Sequence, residues 1–340
     1  MNESKHILVI RFSAMGDVAL TIPALLSVVE AHPQVTITFI SRPFYASFIP
    51  SHPRINSVGI EVDKYKGILG LKKLANELDK EHSFDEVIDL HNVLRTRLIT
   101  SFLKLKGKKI TTFNKLRKEK KAILSQNSTQ QLPHITKQYL NAFAQAGYKS
   151  KLISGPWIDT EEKSPLTEFL AKNKLNSAQN KWIGIAPFAA HTAKMWGIEN
   201  IKNLIVELTK KEVTIFLFGG GKSEVEQLNA LENKANKVFS VAGKMPFDQE
   251  LALMKKLDYL ISMDSSNMHF ATLIGTPVIS IWGATTPLMG FYPLNNQKLI
   301  MEVPESEFNK RTLSKYGNKP AKNGYDWRER ISLEEVFGRI

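Results

Sequence analysis

Several short stretches hold residues whose types and spacing could do chemistry. In Arg11-Phe12-Ser13-Ala14-Met15-Gly16-Asp17-Val18 an apolar run ends, a glycine allows a tight turn, and a carboxylate stands where a helix begins. Two readings follow. Asp is a favoured N-cap because it satisfies free backbone N–H groups. Asp17 could instead be a general base. A helix N-terminus stabilises the carboxylate, which makes it a poor base for an unactivated hydroxyl. It suffices where the proton leaves late, as an oxocarbenium-like carbon draws in the attacking oxygen. A single carboxylate fits inversion at that carbon better than double displacement, which needs a second nucleophile. The dinucleotide fingerprint G-x-G-x-x-G is absent.

Three further stretches follow apolar runs in the second half. Pro187-Phe188-Ala189-Ala190-His191-Thr192-Ala193-Lys194-Met195-Trp196 combines small residues with a lysine. Small residues let the backbone approach a ligand, and Lys194 carries a compact charge suited to diphosphate. Its plain alternative is a surface lysine. Phe218-Gly219-Gly220-Gly221-Lys222-Ser223-Glu224 opens room beside a strand end. Glu224 could there accept from a ribose hydroxyl or simply favour a helix start. Asp264-Ser265-Ser266-Asn267-Met268-His269, followed by Gly275-Thr276-Pro277 and Trp282-Gly283, reads as a capped helix whose N-terminus can hold an anion. His269 lies one turn further on, as a core histidine or a ligand contact. No cofactor or metal is expected. His32, His52, His82, His91 and His134 are scattered, and neither H-x-x-x-H nor D-x-D occurs. Lysine and helix dipoles would have to neutralise a diphosphate.

These residues need elements to position them. Residues 7–12, 35–40 and 86–90 read as strands, with helices over 18–31, 69–79 and 92–103 between them. A second alternation runs through strands at 182–187, 213–218, 238–241, 259–262 and 278–282, with helices near 199–210, 246–256 and 268–274. Such alternation predicts parallel sheets covered on both faces, an α/β chain of two doubly wound units. Ligands then belong at the carboxyl ends of strands, in a cleft between the units. The polar stretch 156–181, with Pro156 and Pro165, puts the boundary near residue 160. The expected division is 1–160, 161–325, and a closing segment 326–340 whose helix at 333–339 packs back on the N-terminal domain.

Composition supports an ordinary globular chain: 340 residues, 43% hydrophobic, 23% charged. With no cysteine, disulfides and thiol chemistry are excluded. No apolar run approaches the roughly 18–20 residues that cross a bilayer, and the opening segment lacks an export signal, so a cytoplasmic protein is expected. The net charge of +13 is uneven: Lys104, Lys106, Lys108, Lys109, Lys115, Arg117, Lys118, Lys120 and Lys121 crowd one stretch, opposed by Glu119. This is a solvated loop or a site for an anionic partner. Only Phe113 interleaves for base stacking, which argues against nucleic acid.

Together the four motifs resemble glycosyltransferase family 9, the lipopolysaccharide heptosyltransferases; residues 7–33 are similar to the family's opening and 183–286 to its donor domain. The resemblance implies a GT-B fold of two Rossmann-like domains facing across a cleft. It also implies an inverting, metal-independent transfer from ADP-heptose to Kdo-lipid A or a heptosylated core. By motif, Asp17 matches the catalytic base and Lys194 the diphosphate lysine. Asp264, Ser265 and His269 match residues holding the nucleotide sugar, Met245 a position beside the adenine, and Glu224 the ribose contact. The chain departs from the family at Ser266, where glycine is common, and at Ala189 and Ala190, where threonines occur and Thr192 is a substitute. Acceptor residues do not carry over by motif; Lys64, Arg95 and Arg97 are chosen from loop position and charge. The basic stretch then suits an anionic lipid-linked acceptor and peripheral attachment to the inner membrane's cytoplasmic face. Two alternatives remain: a GT-B transferase using a UDP- or GDP-hexose, and a non-catalytic module binding a nucleotide or anionic glycolipid.

Overall fold

The computed structural model describes residues 4–294, 297–319 and 324–340. The chain divides into two compact units, residues 1–116 with 133–158, and residues 117–132 with 159–340.

The first unit is built on five parallel strands: β1 (Lys5–Ile10), β2 (Val35–Ser41), β3 (Ile55–Gly59), β4 (Glu86–Asp89) and β5 (Lys109–Thr112), in the order β3-β2-β1-β4-β5. Ile7, Leu8, Val9 and Ile10 of β1 are fully buried, as a central strand covered on both faces requires. The chain winds outward from β1 to β3, then returns to the far side of β1 to lay down β4 and β5. The connections leaving β1 and β4 therefore diverge, and a crevice opens at their carboxyl ends.

The second unit repeats the plan with six parallel strands: β6 (Lys181–Ala186), β7 (Val213–Leu217), β8 (Val238–Ser240), β9 (Tyr259–Met263), β10 (Val278–Trp282) and β11 (Ile300–Glu302), ordered β11-β10-β9-β6-β7-β8. Here the winding reverses between β6 and β9. Among the described residues no helix is long and apolar enough to cross a membrane.

Three features differ from the sequence reading. The strands β3, β5 and β11 are edge strands with polar or half-exposed residues (Asn56 and Ser57 in β3, Lys109 in β5), so the apolar pattern that marks central strands is missing. The expected helix over 18–31 is two, Met15–Ala19 and Ile22–Ala31, with Pro23 in the first turn of the second. The basic stretch is not one patch. Its first part stays in the first unit, where the Lys106 and Lys108 ammonium groups meet Asp79 at 3.0 and 3.1 Å. The helix Arg117–Leu124 belongs to the second unit, and Lys120 is buried there with its ammonium 5.0 Å from the centre of the Phe291 ring.

The segment 117–132 is fastened to the second unit: Leu132 N–H donates to Leu288 O at 2.9 Å and Gln131 Nε2 to Pro287 O at 2.8 Å. The closing helix, Leu333–Phe337, belongs to the second unit. Ser332 and Glu335 cap it reciprocally, Val336 is fully buried in the second unit's core, and the helix packs on Ile198–Thr209. Just before it, Trp327 lies so close over Gly283 that a Cβ there would stand 1.9 Å from the indole.

Gly283→Ala forces that contact apart. It is expected to destabilise the protein by about 1–3 kcal/mol, the cost of overpacking a filled core. Urea unfolding measures the loss; an unchanged midpoint would show that Trp327 moves aside freely.

Candidate active site

In the first unit the strand-order reversal collects residues from the ends of β1 and β4. Asp17 sits in the first turn of Met15–Ala19 rather than ahead of it. Its Oδ2 lies 3.4 Å from the Ala14 N–H, a long capping contact, but 2.8 Å from Arg11 Nη2. The ion pair is the stronger of the two. Arg11 is buried and spends its remaining donors on backbone: Nε to Ser13 O at 2.8 Å and Nη1 to Leu90 O at 2.6 Å. Its guanidinium also lies 5.7 Å from the centre of the Tyr139 ring. Burial works against this charge, but Asp17, Tyr139 and Asp89 outweigh it, and the Arg11 pKa rises. The Asp17 side chain keeps 27% of its surface exposed, so one carboxylate edge is held while the group still meets solvent.

The β4 end contributes a turn built around the buried Asp89. Its Oδ1 accepts the His91 and Asn92 N–H groups, each at 2.8 Å, and its Oδ2 accepts the Thr96 hydroxyl at 2.7 Å. Burial raises the Asp89 pKa against the opposing pull of those donors. The turn delivers His91 beside the β1 loop. Its Nδ1 accepts the Phe12 N–H at 3.4 Å, and its Nε2 stands 3.4 Å from Ser13 Oγ. Burial first, then Arg11, push the His91 pKa down to about 3, so the ring is neutral and Nε2 carries the proton. Of the cations chosen as acceptor contacts, Arg97 reaches Asn92 Oδ1 at 2.7 Å and Arg95 meets Asp63 at 3.2 Å, both from the helix Leu94–Leu105 that follows this turn. Lys64 is not drawn to the crevice residues; it pairs with Glu61 and is mostly exposed.

In the second unit the reversal brings Lys194 and Asp264 together. Lys194 closes the turn Thr192–Lys194 after β6, and Asp264 directly follows β9. Lys194 Nζ lies 2.7 Å from Asp264 Oδ2, with each side chain 14% exposed. The Thr285 hydroxyl, from beyond β10, donates to the same oxygen at 2.8 Å. The loop that carries Lys194 is tied down by its backbone: Trp327 Nε1 donates to Ala193 O at 3.0 Å, and Arg328 donates to Met195 O at 2.9 Å and Thr192 O at 3.2 Å. The Thr192 side chain is exposed. Beside Asp264 begins the helix Ser266–Ile274. Ser265 stands at its N-cap but makes no cap bond; its hydroxyl meets Ser262 Oγ at 3.1 Å. The helix start and the lysine together form a cradle for an anion. His269 is buried one turn in, its ring 6.4 Å from that of Phe291.

The glycine run and the Met245 loop follow the next strands, β7 and β8, and Val225, in the helix Lys222–Leu231 that leaves the run, packs beside Gly243, 3.5 Å from where a Cβ would stand. Glu224 folds back on the run, its Oε2 accepting the Gly220 N–H at 2.8 Å. Burial raises the Glu224 pKa. Met245 is buried. Under this loop Glu250 accepts the Gly243 N–H, and burial pushes its pKa up to about 7. Among the described residues, no cluster of three or more His, Asp or Glu side chains could hold a metal ion.

The supporting residues Arg11, His91, Asp89, Thr285, Trp327, Arg328 and Glu250 were not singled out by sequence. Arg11 alone stood inside a motif already quoted. The others are joined to the site only by folding.

Residues 71–331 match the family model described as glycosyltransferase family 9 (heptosyltransferase). The chain is 25% identical to the lipopolysaccharide core heptosyltransferase OpsX of Haemophilus influenzae, an alignment covering 99% of this chain and 96% of that one. It is 22% identical to lipopolysaccharide heptosyltransferase 1 of Escherichia coli over 91% of this chain and 95% of that one. Among solved structures, it is similar to a family 9 glycosyl transferase from Veillonella parvula, with a TM-score of 0.76 and 21% identity over 99% of this chain and 96% of that one. It is likewise similar to E. coli heptosyltransferase WaaC solved with ADP, with a TM-score of 0.67 and 18% identity over 98% and 96%. With these likenesses, the two doubly wound parallel sheets are those of the GT-B fold.

His91 gives the site a pH signature. Unfolded, it titrates near its ordinary value of 6.5; folded, it stays neutral to about 3. Between those values the unfolded chain holds the extra proton, so native stability falls as pH drops from 6.5 toward 3. In His91→Gln, whose amide can accept at one atom and donate at the other, this part of the slope is expected to disappear. Urea midpoints taken between about pH 7 and pH 5 test it; parallel curves for both proteins would assign the acid loss to other groups.

Proposed function

The chain belongs to glycosyltransferase family 9, and from that premise we propose that it moves heptose from ADP-heptose to a lipopolysaccharide core acceptor, Kdo-lipid A or a core already carrying heptose, with inversion and without a metal. The observation that carries the proposal is the Lys194–Asp264 pair at the reversal between β6 and β9, beside the start of Ser266–Ile274. A diphosphate placed there meets one ammonium and a row of backbone N–H groups, which can neutralise its charge in place of a metal ion. Asp264 orients the lysine and offers its carboxylate to sugar hydroxyls. The ADP in the WaaC structure supports the choice of base and the diphosphate. The names of the H. influenzae and E. coli relatives support the acceptor class.

In the proposed reaction the acceptor oxygen forms a bond to the anomeric carbon on the face opposite the leaving group. The bond from that carbon to the diphosphate oxygen breaks, and ADP departs with the electron pair. Asp17 takes the hydroxyl proton as the new bond forms. Arg11 holds that carboxylate in place, and the part of it that meets solvent leaves room for the acceptor hydroxyl to approach. Met245 and Glu224 flank the adenosine in this reading, and Arg95 and Arg97 approach an anionic acceptor. Because such an acceptor is lipid-linked, the enzyme would work at the cytoplasmic face of the inner membrane.

Asp17→Asn is expected to lower turnover by about 10²–10⁴-fold, the usual contribution of a general base, while ADP affinity measured by calorimetry stays near wild type. Lys194→Ala is expected to weaken ADP about 10-fold or more, as loss of a charge-assisted hydrogen bond implies. ADP should bind in preference to UDP and GDP. Wild-type turnover in Asp17→Asn would reduce that residue to a structural partner of Arg11; equal binding of all three nucleotides would remove the assignment of ADP-heptose.

A further inference from the structure

Among the described residues, seven large apolar side chains are strongly exposed, and four of them lie on one rim of the first unit. Phe44 is in the short helix Pro43–Ala46 after β2, Ile68 and Leu69 are in the first turn of Gly67–His82 after β3, and Leu94 opens Leu94–Leu105 after β4. The strands are parallel, so all three helix starts stand at the carboxyl ends of the sheet, the side that also carries Asp17. Gly67–His82 and Leu94–Leu105 pack together, and Asp63 ties the group by accepting from both Arg42 at 2.6 Å and Arg95 at 3.2 Å. The two longer helices bury other faces (Leu71, Leu74 and Leu78 in one, Ile99 and Leu103 in the other), so Ile68, Leu69 and Leu94 point away from the core, while Phe44 stays 55% exposed with one side of its ring against Phe48. Leu69 and Leu94 are 81% and 76% exposed.

Cations surround them. Arg42, Lys64, Lys66, Arg95 and Arg97 stand on the same segments against only Glu61 and Asp63, both already engaged by Lys64 and by the two arginines. An isolated exposed leucine means little. Four from three chain segments, each set among cations, fit neither a core nor the apolar, charge-depleted centre of a protein interface. They do fit an interfacial surface, where first-turn apolar side chains enter the boundary of headgroups and acyl chains while Lys and Arg meet anionic lipid.

We propose that this rim docks the first unit on an anionic bilayer surface, through Phe44, Ile68, Leu69 and Leu94 with the cations between them. The proposal deepens the proposed function and rests on its lipid-linked acceptor: docking turns the strand ends that carry Asp17 toward the layer from which the acceptor projects. Unlike the stretch 104–121, which folding divides between the two units, this rim lies within one unit and sets its cations beside exposed apolar side chains.

The test is sedimentation of the full chain with phosphatidylcholine vesicles, with and without phosphatidylglycerol. Wild type should bind the anionic vesicles at least about tenfold more tightly than the neutral ones, because apolar insertion and charge act together. The double variant Leu69→Ser, Leu94→Ser should lose about tenfold or more of that binding and keep wild-type transfer to a delipidated, water-soluble core acceptor. Leu105→Ser, which removes an equally exposed leucine at the far end of its helix, should bind as wild type. Binding unchanged in the double variant, loss in Leu105→Ser instead, or no vesicle binding by wild type overturns the docking surface. So does self-association that the double variant abolishes, which would make the rim's partner a second copy of the chain. Wild type that transfers heptose but binds no vesicles condemns only the docking surface; wild type that binds vesicles but transfers no heptose condemns only the proposed reaction.

Discussion

A strand at the centre of a doubly wound parallel sheet has neighbours whose connections run off in opposite directions, and the gap they leave cannot be closed by either. That constraint acts twice in this chain, between β1 and β4 and between β6 and β9. Each gap is filled by charge. Arg11 and Asp17, both from the loop after β1, occupy the first, and Lys194 and Asp264 the second, a pair that meets because β6 and β9 are neighbours. The apolar strands do the folding; their ends do the chemistry. β1 shows the handover in consecutive residues, from the fully buried Ile10 to Arg11, whose guanidinium leaves the core to reach Asp17.

Charges in such places are costly to desolvate, and paired burial is weak evidence of a stabilising role. The two pairs are better understood as positioned groups. Arg11 is held by two backbone carbonyls as well as by Asp17, so it is a fixed point against which the more exposed carboxylate is set. Lys194 is held differently. Its loop is pinned through backbone atoms by Trp327 and Arg328, and its ammonium rests on Asp264, which Thr285 also holds. In the second unit the supporting contacts come from outside the motif that holds Lys194; in the first, Arg11 belongs to the motif of Asp17 but is anchored from outside it at Leu90 O. A site fixed in this way loses little entropy when a ligand arrives.

That arrangement explains what the sequence could and could not say. Central strands were readable because burial on both faces writes a continuous apolar run, as in residues 7–10 and 213–217. The edges β3, β5 and β11 were not, because a half-exposed edge tolerates the asparagine, serine and lysine that look like loop. Asp17, Lys194 and Asp264 could be picked out because each sits at a strand end beside small residues. Their partners could not. Nothing near Thr285, Arg328 or Glu250 marks it as a neighbour of a loop up to more than a hundred residues away; Arg328, for instance, reaches Met195 only through the fold. The fourth motif was legible as a helix start, yet the bond between Lys194 and Asp264 exists only because the strand order reverses.

Charge shows the same limit from the other side. A net +13 concentrated in a lysine-rich stretch invites the inference of one binding patch. Folding splits the stretch between two units and uses part of it internally: Lys108 caps Phe84 O at 2.7 Å and lies over its ring, and Lys120 is buried against Phe291. A lysine consumed this way adds to the net charge but presents little field at the surface. Exposed apolar residues are the more informative signal, because burial is what a leucine gains from folding, and one left in water at a helix start has been left out of the core. Where several are excluded together, as at Ile68, Leu69 and Leu94, the surface is defined by what the fold declined to cover, and the cations nearby then say which kind of layer can cover it.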